Sequence, residues 1–259
     1  MATYKKRGYK PKSKEEEVEQ LEDQSTTAEV FNTLDEGASK TEEWVAANQK
    51  YIFIFIGVVA LIVLGYLGYQ KLVQEPKEQE ASNEMFRAQQ YFNDAVTGNE
   101  KISDSLYTLA LNGGDGKYGF IEIINNYGGT KAANLANYYA GFAYLNMNKY
   151  EDAISYLDEF DSDDQMLGPL AMGGIGDAFA QLSQPEQALS YYEKAAKAKT
   201  NSLTTPKFLL KAAITALSLD KADVAITYLE RIKEEFPSSV EANQVEVHLG
   251  RAKALAATK

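Results

Sequence analysis

Side-chain chemistry needs nucleophiles, bases or ligands gathered in one place, and this chain offers few. Among 259 residues there is one histidine, His248, and no cysteine. Thiol catalysis, disulfides and cysteine-based zinc sites are excluded, and Ser-His-Asp triads and histidine metal clusters nearly so. Gly113-Gly114-Asp115-Gly116 has the glycines of a phosphate loop. No strand pattern precedes it and no Lys-Ser/Thr follows at the required spacing, so it reads as a turn. Asp161-Ser162-Asp163-Asp164 has the carboxylates of a calcium loop. An EF-hand needs glycine sixth and glutamate twelfth, where Met166 and Met172 stand, so this is an acidic turn between repeats. His248, with Glu241 and Glu246 nearby, reads as an ordinary helical residue. The residues assemble no catalytic set and no cofactor or metal site; the expectation is a binding protein, not an enzyme.

Charge narrows the partners. The net charge is −11. Six bases fall within residues 1–14 with no acid, and eleven acids against Lys40 within residues 15–43. Beyond residue 50 the balance is −8, which repels nucleic acid. Only the basic N-terminus could meet phosphate, through a weak ribosome contact or not at all; a solvated tail is the plainer reading.

One segment is unlike the rest. Between Lys50 and Lys71 no residue is charged. About 21 helical residues span roughly 32 Å, the thickness of a bilayer's hydrocarbon core. Tyr51 stands at one end, Tyr66 and Tyr69 at the other, with Trp44 two turns earlier, as aromatic anchors at the two interfaces would. Fifty residues precede the run and no small-residue cleavage site follows, so it reads as a retained transmembrane helix. The expected organisation is a tail over 1–49, partly disordered, a membrane helix over 50–73 and a folded domain over 74–259. The bases of the short tail favour tail inside, domain outside.

Within the tail, Thr26-Thr27-Ala28-Glu29 and Ser39-Lys40-Thr41-Glu42 fit capping boxes, and Gly37 reads as the end of the first helix. Val30, Phe31 and Leu34 give that helix an apolar edge, either a docking surface or chance in a loose tail; residues 1–25 read as disordered. Residues 72–80 are either a spacer or a helix broken at Pro76.

The last domain repeats. Asn137-x-x-Ala140-Gly141-x-x-Tyr144, then Ala153-x-x-x-Leu157, recurs 35 residues later as Met172-x-x-Ile175-Gly176-x-x-Phe179, then Ala188-x-x-x-Tyr192-x-x-Ala195. A third copy reads Leu209-x-x-Ala212-Ala213-x-x-Ala216, then Ala225-x-x-x-Leu229, and closes at Pro237. Small residues let two antiparallel helices approach, and large ones fill the gap to the next pair. Ser183-Gln184-Pro185 and Thr205-Pro206 open helices, and Ser238-Ser239-Val240-Glu241 starts a terminal one. Phe120-x-x-Ile123-Ile124 reads as the second helix of a degenerate earlier pair, after helical stretches near 81–97 and 101–111.

These residues resemble the tetratricopeptide pattern. The resemblance implies an all-α protein: a single transmembrane helix followed by an α-solenoid of about four helix pairs with a capping helix. Mapped onto repeat positions, the concave face comprises Tyr138, Phe142, Leu145, Asn146, Asp177, Ala180, Gln181, Leu210, Ile214 and Leu217. It is mostly apolar and lacks the Lys/Asn set that holds a peptide's terminal carboxylate, so an extended apolar segment or a partner protein is the expected ligand. The alternative is that half of these residues are core.

One membrane helix before such a domain resembles the YfgM-like family of bacterial inner-membrane proteins, in a version with the long tail of Bacteroidetes-type members. The resemblance implies a cytoplasmic N-terminus, a periplasmic repeat domain, and an ancillary role at the Sec translocon (SecYEG). Implied partners are a membrane-anchored, PpiD-like chaperone and nascent or translocated polypeptides, besides membrane lipid. A scaffold in envelope assembly or cell division remains the other reading.

Overall fold

The computed structural model describes residues 26–98 and 100–258, with side chains over 41–98 and 102–258. The expected disorder of residues 1–25 lies outside the described residues. Among those described the chain is helical, without a strand, and it divides into two units at Tyr69/Gln70.

The first unit is helix α1, Thr26–Tyr69. It runs through Gly37 and through Ser39–Thr41, where one helix was expected to end and another to begin. A glycine inside a helix costs only about 1 kcal/mol, which the neighbouring helix formers offset. Among the described residues α1 begins the one helical run long and apolar enough to cross a membrane. Over 51–69 its large apolar side chains, Phe53, Phe55, Leu61 and Leu64 among them, are exposed, with Ile52 half-buried. So many exposed apolar side chains on one helix are consistent with a membrane-spanning segment.

The second unit opens with a π turn, Gln70–Gln74, that passes into α2, Glu75–Thr97. Pro76 has no N–H to give the carbonyl four residues back, and the wider turn before it absorbs the mismatch without breaking the helix. α2 buries Ala81, Met85, Ala88, Tyr91 and Ala95, a stripe at helical spacing, against α3, Glu100–Asn112. The expected phosphate-loop lookalike is the turn that follows. Gly113 and Gly116 have positive φ, and Asp115 accepts hydrogen bonds from the Tyr91 hydroxyl (2.8 Å) and Arg87 (3.2 Å). Those two bonds hold the Asp115 carboxyl below its ordinary range.

Helix α4, Phe120–Asn126, is too short to be half of a repeat. It packs mainly on α5, while α2 pairs with α3, so the degenerate first pair is α2/α3 rather than one ending in α4. Three regular pairs follow: α5, Lys131–Asn146, with α6, Tyr150–Asp158; α7, Leu167–Gln181, with α8, Pro185–Ala198; α9, Thr204–Ser218, with α10, Ala222–Glu235. Helix α11, Ala242–Ala257, closes the stack, its first turn receiving the Ser239 hydroxyl at the N–H of Ala242. The turn inside each pair places one residue at positive φ: Asn148, Ser183 and Asp220.

Close approach between helices falls where small residues permit it. A methyl on Gly141 would strike Leu157, and one on Gly176 would strike Tyr192. Helix α7 goes further than the repeat pattern asks: Gly173 lies under the ring of Phe208 and Gly174 against Phe142 and Leu157. The core falls into three blocks: one over α2–α5, one over α8–α11, and a small middle one around Leu157, Ala171 and Ile175.

Candidate protein-binding groove

The first helices of the three pairs, α5, α7 and α9, carry the residues expected on the concave face. Four of them converge. Leu145, Asp177, Ala180 and Gln181 line one open cleft of about 360 Å³, joined by Asn148, Tyr150, Tyr192 and Lys211.

The others are placed differently. Tyr138 and Phe142 are half-buried, their rings 4.7 Å apart, with Phe160 5.1 Å from Tyr138. They fill the seam between pairs, and burial pushes the Tyr138 hydroxyl up to about 12. Asn146 is exposed and donates to the carbonyl of Phe142 on its own helix (2.7 Å). Ile214 is exposed on α9. Leu210 and Leu217 are buried, at 7% and 3% exposure, and cannot meet a partner. Both belong to one buried cluster that runs over α8–α11 and also holds Val245 and Leu249 of the capping helix.

The cleft is also less apolar than the concave positions alone suggested. Its floor is a three-residue polar knot. The Tyr192 hydroxyl donates to Asp177 Oδ1 (2.7 Å), and Lys211 donates to the same oxygen. Burial, with the Asp177 charge and hydrogen bond after it, drives the Tyr192 hydroxyl well above the ordinary phenol range. The knot is neutral as a whole and ties α7, α8 and α9 together. Sequence reasoning passed over Lys211, although a signal existed: it is the one charged residue in the run Phe208–Ser218, and a lone charge in an apolar helix needs a partner.

The acidic stretch at 161–164 works as a turn. Asp164 Oδ1 accepts from the N–H groups of Met166 (2.7 Å) and Leu167 (2.8 Å), satisfying the start of α7 and lowering the Asp164 pKa. Among the described residues no cluster of three His, Asp or Glu side chains is placed to hold a metal. His248 is half-buried on α11. Trp44, Tyr51, Tyr66 and Tyr69 are exposed on α1.

The family profile of the tetratricopeptide repeat matches residues 135–163 and 208–239, the first and third of the regular pairs. The chain carries tetratricopeptide repeats. The second regular pair, α7/α8, falls outside the matched segments; it is the pair with the extra glycines at 173 and 174. No curated protein matches the chain.

Proposed function

We propose that the chain is a single-pass membrane protein, anchored by residues 50–73, whose repeat domain over 74–259 binds other polypeptides in the cleft between α5, α7 and α9. The observation that carries this is the convergence of Leu145, Asp177, Ala180 and Gln181 from two first helices onto one open cleft. Stacked helix pairs use such faces to grip chains, and the cleft holds amide side chains, Asn148 and Gln181, that both donate and accept hydrogen bonds with a peptide main chain. The resemblance to YfgM-like proteins extends the reading. The tail lies in the cytoplasm and the repeats in the periplasm. The partners are the Sec translocon and a membrane-anchored chaperone, to which newly translocated chains are handed.

A photo-crosslinking residue at position 181 tests the cleft in cells. Crosslinks to translocon or chaperone subunits are expected there and not from Ser190, exposed on α8. Equal crosslinking from both positions removes the cleft from the proposal. Protease added to spheroplasts should digest the repeats and spare an N-terminal tag; the reverse pattern overturns the orientation.

A further inference from the structure

The turns that connect one helix pair to the next lie along one edge of the repeat unit, and hydrogen bonds trace that edge from α2 to the α8–α9 turn. It starts where the chain enters the unit. Gln74 donates to the carbonyl of Gly129 (2.9 Å) and Lys77 to that of Gly128 (3.0 Å). Glu78 accepts from the N–H groups of Lys131 (2.6 Å) and Ala132 (2.9 Å). The first turn of α2 is thus pinned to the α4–α5 turn. From there Asn134 donates to the carbonyl of Asp161 (2.7 Å) and accepts from its N–H (3.1 Å), reaching the α6–α7 turn. Asn201 donates to the carbonyl of Gln165 (2.9 Å), reaching the α8–α9 turn. A cleft of about 510 Å³ then joins Leu203 to Phe236 and Val240 in the α10–α11 turn.

Each of the last three turns on this edge exposes one apolar side chain just before the next helix: Met166 (42% exposed), Leu203 (62%) and Val240 (76%). They are evenly spaced in sequence, so they recur with the stack and form a row. The other exposed apolar side chains of the repeat unit, such as Phe86, Val96 and Val247, do not recur this way. None of the three is buried, so the core does not account for the row.

We infer that this edge rests on the bilayer surface, with Met166, Leu203 and Val240 dipping into the lipid interface. The occupant follows from where the chain enters. If α1 spans the membrane, Gln70–Gln74 leaves it at the lipid surface, and the first turn of α2 fixes that entry point to the same edge as the row. Leu72 and Val73, both exposed, continue the apolar surface at the entry. The contact is apolar rather than electrostatic. Exposed charges of both signs stand along the edge, Asp161, Asp163 and Asp164 with Lys131 and Lys207, so it favours no headgroup charge. The inference rests on the anchor reading and is separable from it.

The natural chain has no cysteine, so single-cysteine variants can each carry one fluorophore. The full chain, labelled through Leu203→Cys, Val240→Cys or Glu186→Cys, is reconstituted in phosphatidylcholine vesicles with and without nitroxide-labelled lipid. Glu186 begins α8 at the opposite edge. At least twofold quenching is expected at 203 and 240 and none at 186. Equal emission at all three positions overturns the inference. A label at 203 that is shielded from water yet unquenched by lipid also overturns it, and assigns the row to a protein contact. Flotation of the same vesicles separates the two readings: protein that stays behind defeats the anchor, while protein that floats with unquenched labels defeats only the edge.

Discussion

Single residues in the inter-helix turns carry identifiable jobs. Asp164 accepts two N–H groups at the start of α7, and its carboxyl titrates below the ordinary value because those bonds favour the charged form. A depressed folded value means the stabilisation is complete above the unfolded value and is lost as pH falls through the folded one. Wild type should therefore out-melt Asp164→Ala at pH 6, with the difference narrowing below about pH 4; a gap that does not narrow as the pH falls refutes the capping role. Ser183 holds φ +57 in the α7–α8 turn, where its counterparts are Asn148 and Asp220. Asn and Asp tolerate that region better than serine does, so Ser183→Gly should raise stability by about 0.5–1 kcal/mol in urea denaturation. Asp161–Asp164 was legible as a turn, but neither the N–H groups that Asp164 accepts from nor the backbone of Ser183 could be read from the sequence. Ser183-Gln184-Pro185 reads as a helix start, and Pro185 does open α8, but the serine's own job is to turn the chain.

At the level of helices the sequence was most informative where packing forces a residue type. Gly141, Gly176, Ala153 and Ala188 stood out because a repeated small residue marks a helix crossing, and each is buried at one. Gly173 and Gly174 escaped notice because they occur in one copy only and answer to particular rings, Phe208 and Phe142, that periodicity cannot pair. The same limit governed the groove. A repeat position says which way a side chain points from its own helix, but whether Leu210 and Leu217 meet solvent depends on the helices packed around α9, which the pattern does not place. Gly173→Ala would push a methyl into the Phe208 ring and should lower stability by about 1–3 kcal/mol. Gly250→Ala on α11 meets nothing within 4 Å and should raise it by about 0.5–1 kcal/mol. Thermal melts of the pair check both signs, and destabilisation by both would mean that helix propensity, not crowding, is misjudged.

The whole repeat unit is a chain of local interfaces, because each pair packs on its neighbours and the core is divided into blocks instead of one centre. Such an arrangement confines damage to the block where it occurs. The C-terminal block includes α11: Val245, Leu249 and Ala252 belong to the same buried cluster as Leu210 and Leu217 of α9 and Leu229 and Ile232 of α10. Removing the chain from Ala242 onward uncovers those side chains, and an amide can be no better protected than the helix pair that buries it. Hydrogen exchange on the truncated repeat unit should then show α9 and α10 losing protection by tenfold or more, while α2, α3 and α5, which belong to the other large block, keep theirs. Uniform loss across all helices would show instead that the middle cluster of Leu157, Ala171 and Ile175, small as it is, couples the two ends into one cooperative unit.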